Sequence, residues 1–232
     1  MPAGQGQVKE MPQKSPLVEA VKKHFPGYAP EIIFDVGANV GATARGLSEG
    51  FPEATIYAFE PVEATFRKLA QKVAVHERVR PFNLALGRRP RSVRMRIKSL
   101  SVSNRIAGWR DTFKPCETVK MASGDGFCEE RGLSHIGLLK IDAEGHDLEV
   151  LYGFERMLKE MRVDLVEAEV GMNPENRRHV PFEAVKRYLE HLGYRLFLIY
   201  EQRRETPFGR GAMLRRCNVV FASAKLLDAA RG

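Results

Sequence analysis

Glu31-Ile32-Ile33-Phe34-Asp35-Val36-Gly37-Ala38-Asn39-Val40-Gly41 decides how this chain is read. A short apolar run ends in a carboxylate and passes directly into a glycine-containing bend. Buried parallel strands that feed a helix look like this. The reading predicts a strand over 31–35 and a helix from Gly41 to about Glu49. Glycines at such a bend let the backbone turn tightly and let a ligand approach without a Cβ in the way. The helix behind them offers unpaired N–H groups at its start.

The same alternation continues outward from this stretch. Thr55–Phe59 reads as a second strand, and Pro61 suits the first turn of a helix marked by Phe66, Leu69 and Val73. A third strand is expected near Val79–Leu84. Upstream, Leu17, Val21 and Phe25 sit at helical spacing in a leading helix that Pro26–Pro30 ends. Val93, Met95 and Ile97 alternate with Arg94, Arg96 and Lys98, which predicts a strand with one basic face. Residues 99–115 read as a loop, with Trp109 the single tryptophan.

Further on, Ile136–Ile141 is a buried strand ending at Asp142, and Leu148, Leu151, Phe154 and Leu158 mark one helix. Val163–Glu169 is the next strand. A helix through Phe182, Val185, Leu189 and Leu192 is closed by Gly193. Strands over 194–200 and 217–223 pair around a basic loop. Strands alternating with helices predict an α/β, Rossmann-like fold: a mostly parallel seven-stranded sheet, an antiparallel strand near one edge, and helices on both faces.

Bulk properties narrow the possibilities. The chain has 232 residues and no internal repeat or linker, so one domain is expected over 16–232 behind a flexible polar tail, 1–15. That tail has no apolar centre, which excludes a secretory signal, and no stretch approaches the length of a membrane span. Cys116, Cys128 and Cys217 are widely spaced and odd in number, which argues against a disulfide framework and for a reducing, cytoplasmic setting. The net charge of +8 draws anionic partners, but much of it sits in two local runs, Arg88–Lys98 and Arg203–Arg216.

The chemistry-bearing elements begin at the glycine turn. A dinucleotide fingerprint requires GxGxxG. Here only Gly37 and Gly41 appear, with three residues between them and an acid in front, which disfavours a nicotinamide oxidoreductase. A ligand without phosphates but with a cationic amino-acid end suits the pattern better, Asp35 helping to hold the amino group. Nineteen residues beyond Gly41, Glu60 ends the second strand, where a carboxylate can accept hydrogen bonds from a ribose diol.

Taken together, FDVGANVG (34–41), FEP (59–61), NLALG (83–87) and above all LLKIDAEGHDLEVLYG (138–153) resemble the FkbM-type methyltransferases. EAEV (167–170) and GYRLF (193–197) fit as well, so the resemblance covers roughly 31–222. It implies a class I methyltransferase fold, binding of S-adenosylmethionine and O-methylation, commonly of sugar hydroxyls in glycans, glycolipids or natural products. It places Asp35, Gly37, Asn39, Gly41 and Glu60 at the cofactor; Ala38, Pro61 and Ala85 are expected there with them, and Asp142, at a strand's carboxyl end, beside the reacting methyl. One departure stands out: Ser123-Gly124-Asp125 replaces the Thr-Leu-Asp often found before the fourth strand, which bears on local packing there.

A sugar hydroxyl is a poor nucleophile at neutral pH and gains from a general base. The candidates are Asp142, Glu144 and His146, at a strand's carboxyl end where ligands of open α/β sheets bind. Acids there also stabilise a helix start in any protein. Asp142, Glu144 and Glu169 offer hard oxygens to Mg²⁺ or Ca²⁺, although nothing in their spacing requires a metal. Trp109, Ser103 and Asn104 lie where a substrate loop is expected. An RNA methyltransferase on the same fold, or a non-catalytic cofactor-binding scaffold, remain the alternatives. The basic runs favour the first only weakly, because no aromatic residues interleave them.

Overall fold

A computed structural model describes residues 15–97, 105–107, 115–205 and 213–231. Residues 1–14 of the expected tail, together with Lys98, Ser103, Asn104, Trp109 and 206–212, lie outside the described residues.

The chain opens with α1 (Pro16–His24) and then alternates through β1 (Ile32–Val36), α2 (Ala42–Gly50), β2 (Thr55–Phe59), α3 (Glu63–Val73) and β3 (Val79–Phe82). Four strands follow in succession: β4 (Ala85–Leu86), β5 (Arg91–Arg96), β6 (Arg105–Ile106) and β7 (Cys116–Ala122). Alternation resumes with α4 (Gly124–Glu130), β8 (Ile136–Ile141), α5 (Asp147–Gly153), α6 (Glu155–Lys159) and β9 (Val163–Gly171). The chain ends with β10 (Val180–Pro181), α7 (Phe182–His191), β11 (Tyr194–Glu205), β12 (Met213–Ser223) and α8 (Ala224–Ala229).

The main sheet runs β3-β2-β1-β8-β9-β12-β11, with β10 beside β9. Its pairings are parallel except those of β12, which lies antiparallel to both β9 and β11. Strand order reverses between β1 and β8, and their diverging carboxyl ends open the crevice where α/β sheets take ligands. Successive side chains alternate across the sheet. Phe34 and Leu139 therefore join Phe59, Phe127 and Phe154 on one face, while Ile33 and Leu138 join Leu17, Leu47 and Leu69 on the other. The first of these layers is aromatic, with ring centroids 5.2 Å apart for Phe34–Phe59 and 4.9 Å for Phe59–Phe127.

Three features depart from the sequence reading. A second, four-stranded sheet, β4-β7-β5-β6, stands beside the main one, so seven strands do not exhaust the architecture. The strand with a basic face is its β5, where Val93 and Met95 are buried and Arg94 exposed. The single helix expected through Leu148–Leu158 is broken at Phe154. Phe154 packs on Gly124, where an added Cβ would stand 2.3 Å from the ring. The Asp125 carboxylate accepts from the N–H groups of Arg156 (2.8 Å) and Met157 (3.1 Å), starting α6 afresh. Ser123-Gly124-Asp125 is thus the local device that sets this break. Finally, the loop expected over 201–216 is largely strand: Arg203 pairs with Arg216 and Glu205 with Met213, across bulges that follow Tyr200.

Candidate active site

β1 delivers Asp35 to the crevice, fully buried. The turn behind it takes left-handed backbone at Gly37 (φ +82°), Asn39 (+49°) and Gly41 (+84°). A Cβ on Gly37 would lie 2.0 Å from the carbonyl oxygen of Asp142, and one on Gly41 would lie 2.8 Å from Leu69 Cδ1. The glycines therefore let the turn seat against the loop after β8 and against α3, whereas the sequence suggested room for a ligand. The N–H groups of Gly37 and Ala38 donate to the Phe59 carbonyl at 3.0 and 2.9 Å, so these two amides are already spent.

A cavity of about 740 Å³, its open mouth included, is lined by Gly37, Asn39, Glu60, Pro61, Ala85, Asp142, Glu144 and His146. Leu84 and Leu86, with Met95, Ile106 and Met121 of the small sheet, supply an apolar wall. Asp35, Ala38 and Gly41 do not line it. Glu60 is 7% exposed and accepts from the Val62 N–H at 2.9 Å. Burial pushes its carboxyl up to about 7, against the opposing pull of the Val62 and Asn39 amides. The Asn39 Oδ1 atom is buried and lacks a hydrogen-bond partner among the described residues.

The loop after β8 is tightly built. Helix α5 begins at Asp147, so Asp142, Glu144 and His146 precede its first turn. Glu144 takes left-handed backbone (φ +52°) and receives Arg178 through Nε at 2.7 Å and Nη2 at 2.8 Å. A Cβ on Gly145 would lie 2.3 Å from the Arg178 carbonyl. Asp147 is 1% exposed and accepts from the Ala143 and Gly145 N–H groups at 3.4 and 3.2 Å. Burial holds the His146 imidazole below its ordinary range; Glu149 opposes this, while Arg91 and Arg105 add to it. A neutral imidazole accepts protons.

Asp142 and Glu144 also line a second, open groove on the far side of the loop. Polar groups converge there. Lys140 Nζ stands 3.2 Å from Asp35 Oδ1 and 3.8 Å from Asp142 Oδ2. Tyr200 donates to Glu167 Oε1 at 2.6 Å, and burial raises the Glu167 carboxyl to about 7. Glu169 meets His179 Nε2 at 2.8 Å and also pairs with Arg216. Glu144 and Glu169, two of the three residues considered for a metal, are thus engaged by Arg178 and Arg216. Among the described residues no group of three metal-binding side chains comes together.

Sequence reasoning overlooked Lys140, Arg178, His179 and Tyr200. The one signal available was a lysine inside an otherwise apolar, fully buried strand, Ile136-Gly-Leu-Leu-Lys-Ile141.

Compared with known proteins, residues 35–196 match the profile of the methyltransferase FkbM domain. The chain is 26% identical over 147 residues to the hexuronic acid methyltransferase AglP of Haloferax volcanii, covering 63% of this chain and 59% of that protein. It is 24% identical over 146 residues to the 2-O-methyltransferase NoeI of Sinorhizobium fredii, covering 56% and 60%. The chain thus spans about three fifths of the length of the curated relatives it matches. Among solved structures, a methyltransferase FkbM from Methylobacillus flagellatus aligns with a TM-score of 0.53 at 15% identity, over 83% of this chain and 43% of that one, a likeness of fold.

Proposed function

This chain belongs to the FkbM methyltransferase family, and from that premise we propose that it is an S-adenosylmethionine-dependent O-methyltransferase acting on a hydroxyl of a sugar, glycan or natural product. The unit responsible is the one domain expected over 16–232. The observation that carries the reading is the position of Asp142, which borders both the cavity holding Glu60 and the polar groove holding Glu167 and Tyr200.

The residues suit the cofactor. Three carboxyl groups, Asp35, Asp142 and Glu167, face the single Lys140 ammonium, an acidic crevice suited to a ligand with a sulfonium and an amino group. Glu60 can accept ribose hydroxyls. The wall of Leu84, Leu86, Met95, Ile106 and Met121 suits a flat base, leaving Asn39 and Asp142 for the amino-acid end. When bound, S-adenosylmethionine supplies an electrophilic methyl group.

Positioning provides much of the rate of an in-line displacement. Asp142 orients the acceptor hydroxyl, and neutral His146 takes its proton. Glu144, clamped by Arg178, shapes the loop that carries them. The second groove is rich in hydrogen-bonding groups, Tyr200, Glu167, His179 and Asn218 among them, which suits a polyhydroxylated acceptor. Relatives named for hexuronic acid and 2-O methylation support a sugar and leave a nucleic-acid acceptor and a purely scaffolding role as weaker readings. Three widely spaced cysteines, odd in number, suit a reducing, cytoplasmic setting.

Isothermal calorimetry with S-adenosylmethionine and S-adenosylhomocysteine tests this reading. Micromolar binding that collapses in Glu60→Ala is the expected result. Absence of binding to the intact protein would overturn it.

A further inference from the structure

Lys140 is the group hardest to explain by packing. It sits in the middle of the main sheet, 7% exposed, flanked by Leu139 and Ile141, which are almost wholly buried. Strand register sets Asp35 of β1 directly beside Lys140 of β8, and Glu167 of β9 directly on its other side. The result is a row of acid, base and acid across three neighbouring strands. Asp142, just past the end of β8, adds a third carboxylate at 3.8 Å, and Tyr200 of β11 fixes Glu167 from beyond.

A buried ion pair is a weak device for stability, because desolvating the charges offsets much of their attraction, and well-packed apolar residues commonly do as well. Here, moreover, one cation faces three carboxyl groups, and burial pushes two of them, Asp35 and Glu167, above the ordinary carboxylate range, so the Lys140 ammonium is what favours their ionised forms. Asp35, wholly buried, is met by the Lys140 ammonium 3.2 Å from Oδ1 and by the Ala44 N–H, so Lys140 supplies the cation on that side chain.

We propose that Lys140 is a positioning residue whose ammonium fixes the Asp35 and Asp142 carboxylates and sets how much negative charge the crevice presents to a sulfonium. The proposal rests on the methyltransferase reading above and adds to it a named determinant of donor-over-product preference. S-Adenosylmethionine carries a positive charge at sulfur that S-adenosylhomocysteine lacks, so the ratio of their affinities reads the charge of the site. A residue that only filled space would alter both affinities alike.

The test is calorimetric titration of both ligands at pH 8.5 into the wild-type protein and into Lys140→Met, Lys140→Arg and Glu167→Gln. Removing the cation is expected to shift the affinity ratio towards S-adenosylmethionine by about fivefold, as an unscreened charge a few ångströms further off would. Lys140→Arg keeps the charge and restores the wild-type ratio. Glu167→Gln removes an anion and shifts the ratio the other way, which keeps the proposal open to refutation if Lys140→Met does not fold. Equal weakening of both ligands in Lys140→Met, or an unmoved ratio in Glu167→Gln, overturns the proposal. Failure of the wild-type protein to bind either ligand defeats the methyltransferase reading instead.

Discussion

Glu60 should make the ligand-free protein less stable than it need be, and its isostere tests this. The carboxyl stands at about 7 in the folded protein against an ordinary 4.5, with burial as the main cause. At ~1.4 kcal/mol per tenfold change in proton affinity, that difference corresponds to a penalty on the order of 3 kcal/mol. The folded protein binds this proton more tightly than the unfolded chain does. The penalty is therefore absent below about pH 4.5, grows as pH rises, and is complete above about pH 7. A glutamine side chain at this position would keep an oxygen to accept from the Val62 N–H while remaining neutral throughout. Glu60→Gln is thus expected to stabilise the ligand-free protein at pH 8 by roughly 1–3 kcal/mol, or about 3–10 °C in Tm for a chain of this size. At pH 5 the two proteins should melt nearly together. Thermal unfolding followed by circular dichroism at both pH values measures this. A gain that is the same at pH 5 and pH 8, or a loss of stability at pH 8, would refute the reasoning.

Other substitutions probe the geometry around this residue. Gly37→Ala drives a Cβ to 2.0 Å from the Asp142 carbonyl and demands left-handed backbone of alanine, so a loss of at least about 3 kcal/mol in urea unfolding is expected, together with loss of cofactor binding. Gly124→Ala presses on Phe154, and neither residue lines the cavity, so it should lower Tm by roughly 4–10 °C while calorimetry at 15 °C still finds wild-type cofactor affinity; a matching loss of binding would contradict that separation. His146→Ala should leave cofactor affinity within about threefold yet reduce transfer to a glycoside acceptor by about a hundredfold. Because burial lowers the His146 pKa, the wild-type rate should rise with pH along a limb below 6.5, and a limb above that value would exclude His146 as the base.

Much of this protein is legible in its sequence wherever apolar spacing is the dominant force. β1, β2, β8 and the closing antiparallel pair announce themselves as short apolar runs, and the carboxylates at their ends mark the crevice. What stays hidden depends on contacts between distant segments. Nothing near Gly37 indicates that its missing Cβ is required by Asp142, more than a hundred positions away. The spacing of Leu148, Leu151, Phe154 and Leu158 fits one continuous helix, and only the Asp125 carboxylate, reaching across from α4, divides it. The outer halves of β11 and β12 carry charged residues with little apolar alternation, so hydrogen-bond pairing holds them as strands without a hydrophobic signature. Tyr200 and Arg178 reach the site only because the sheet brings their strands and loops together.

The loop that carries Asp142 is pinned on three sides: by the glycine turn pressed on its carbonyl, by Arg178 clasping Glu144, and by Asp147 drawing its amides inward. A segment held this way does not behave as a door. Ligands must arrive and depart through the mouths of the two cavities, with the loop as a fixed sill between them. Exchanging its residues to change what the protein accepts would therefore require the turn at Gly37 and the segment at Arg178 to be transplanted as one piece.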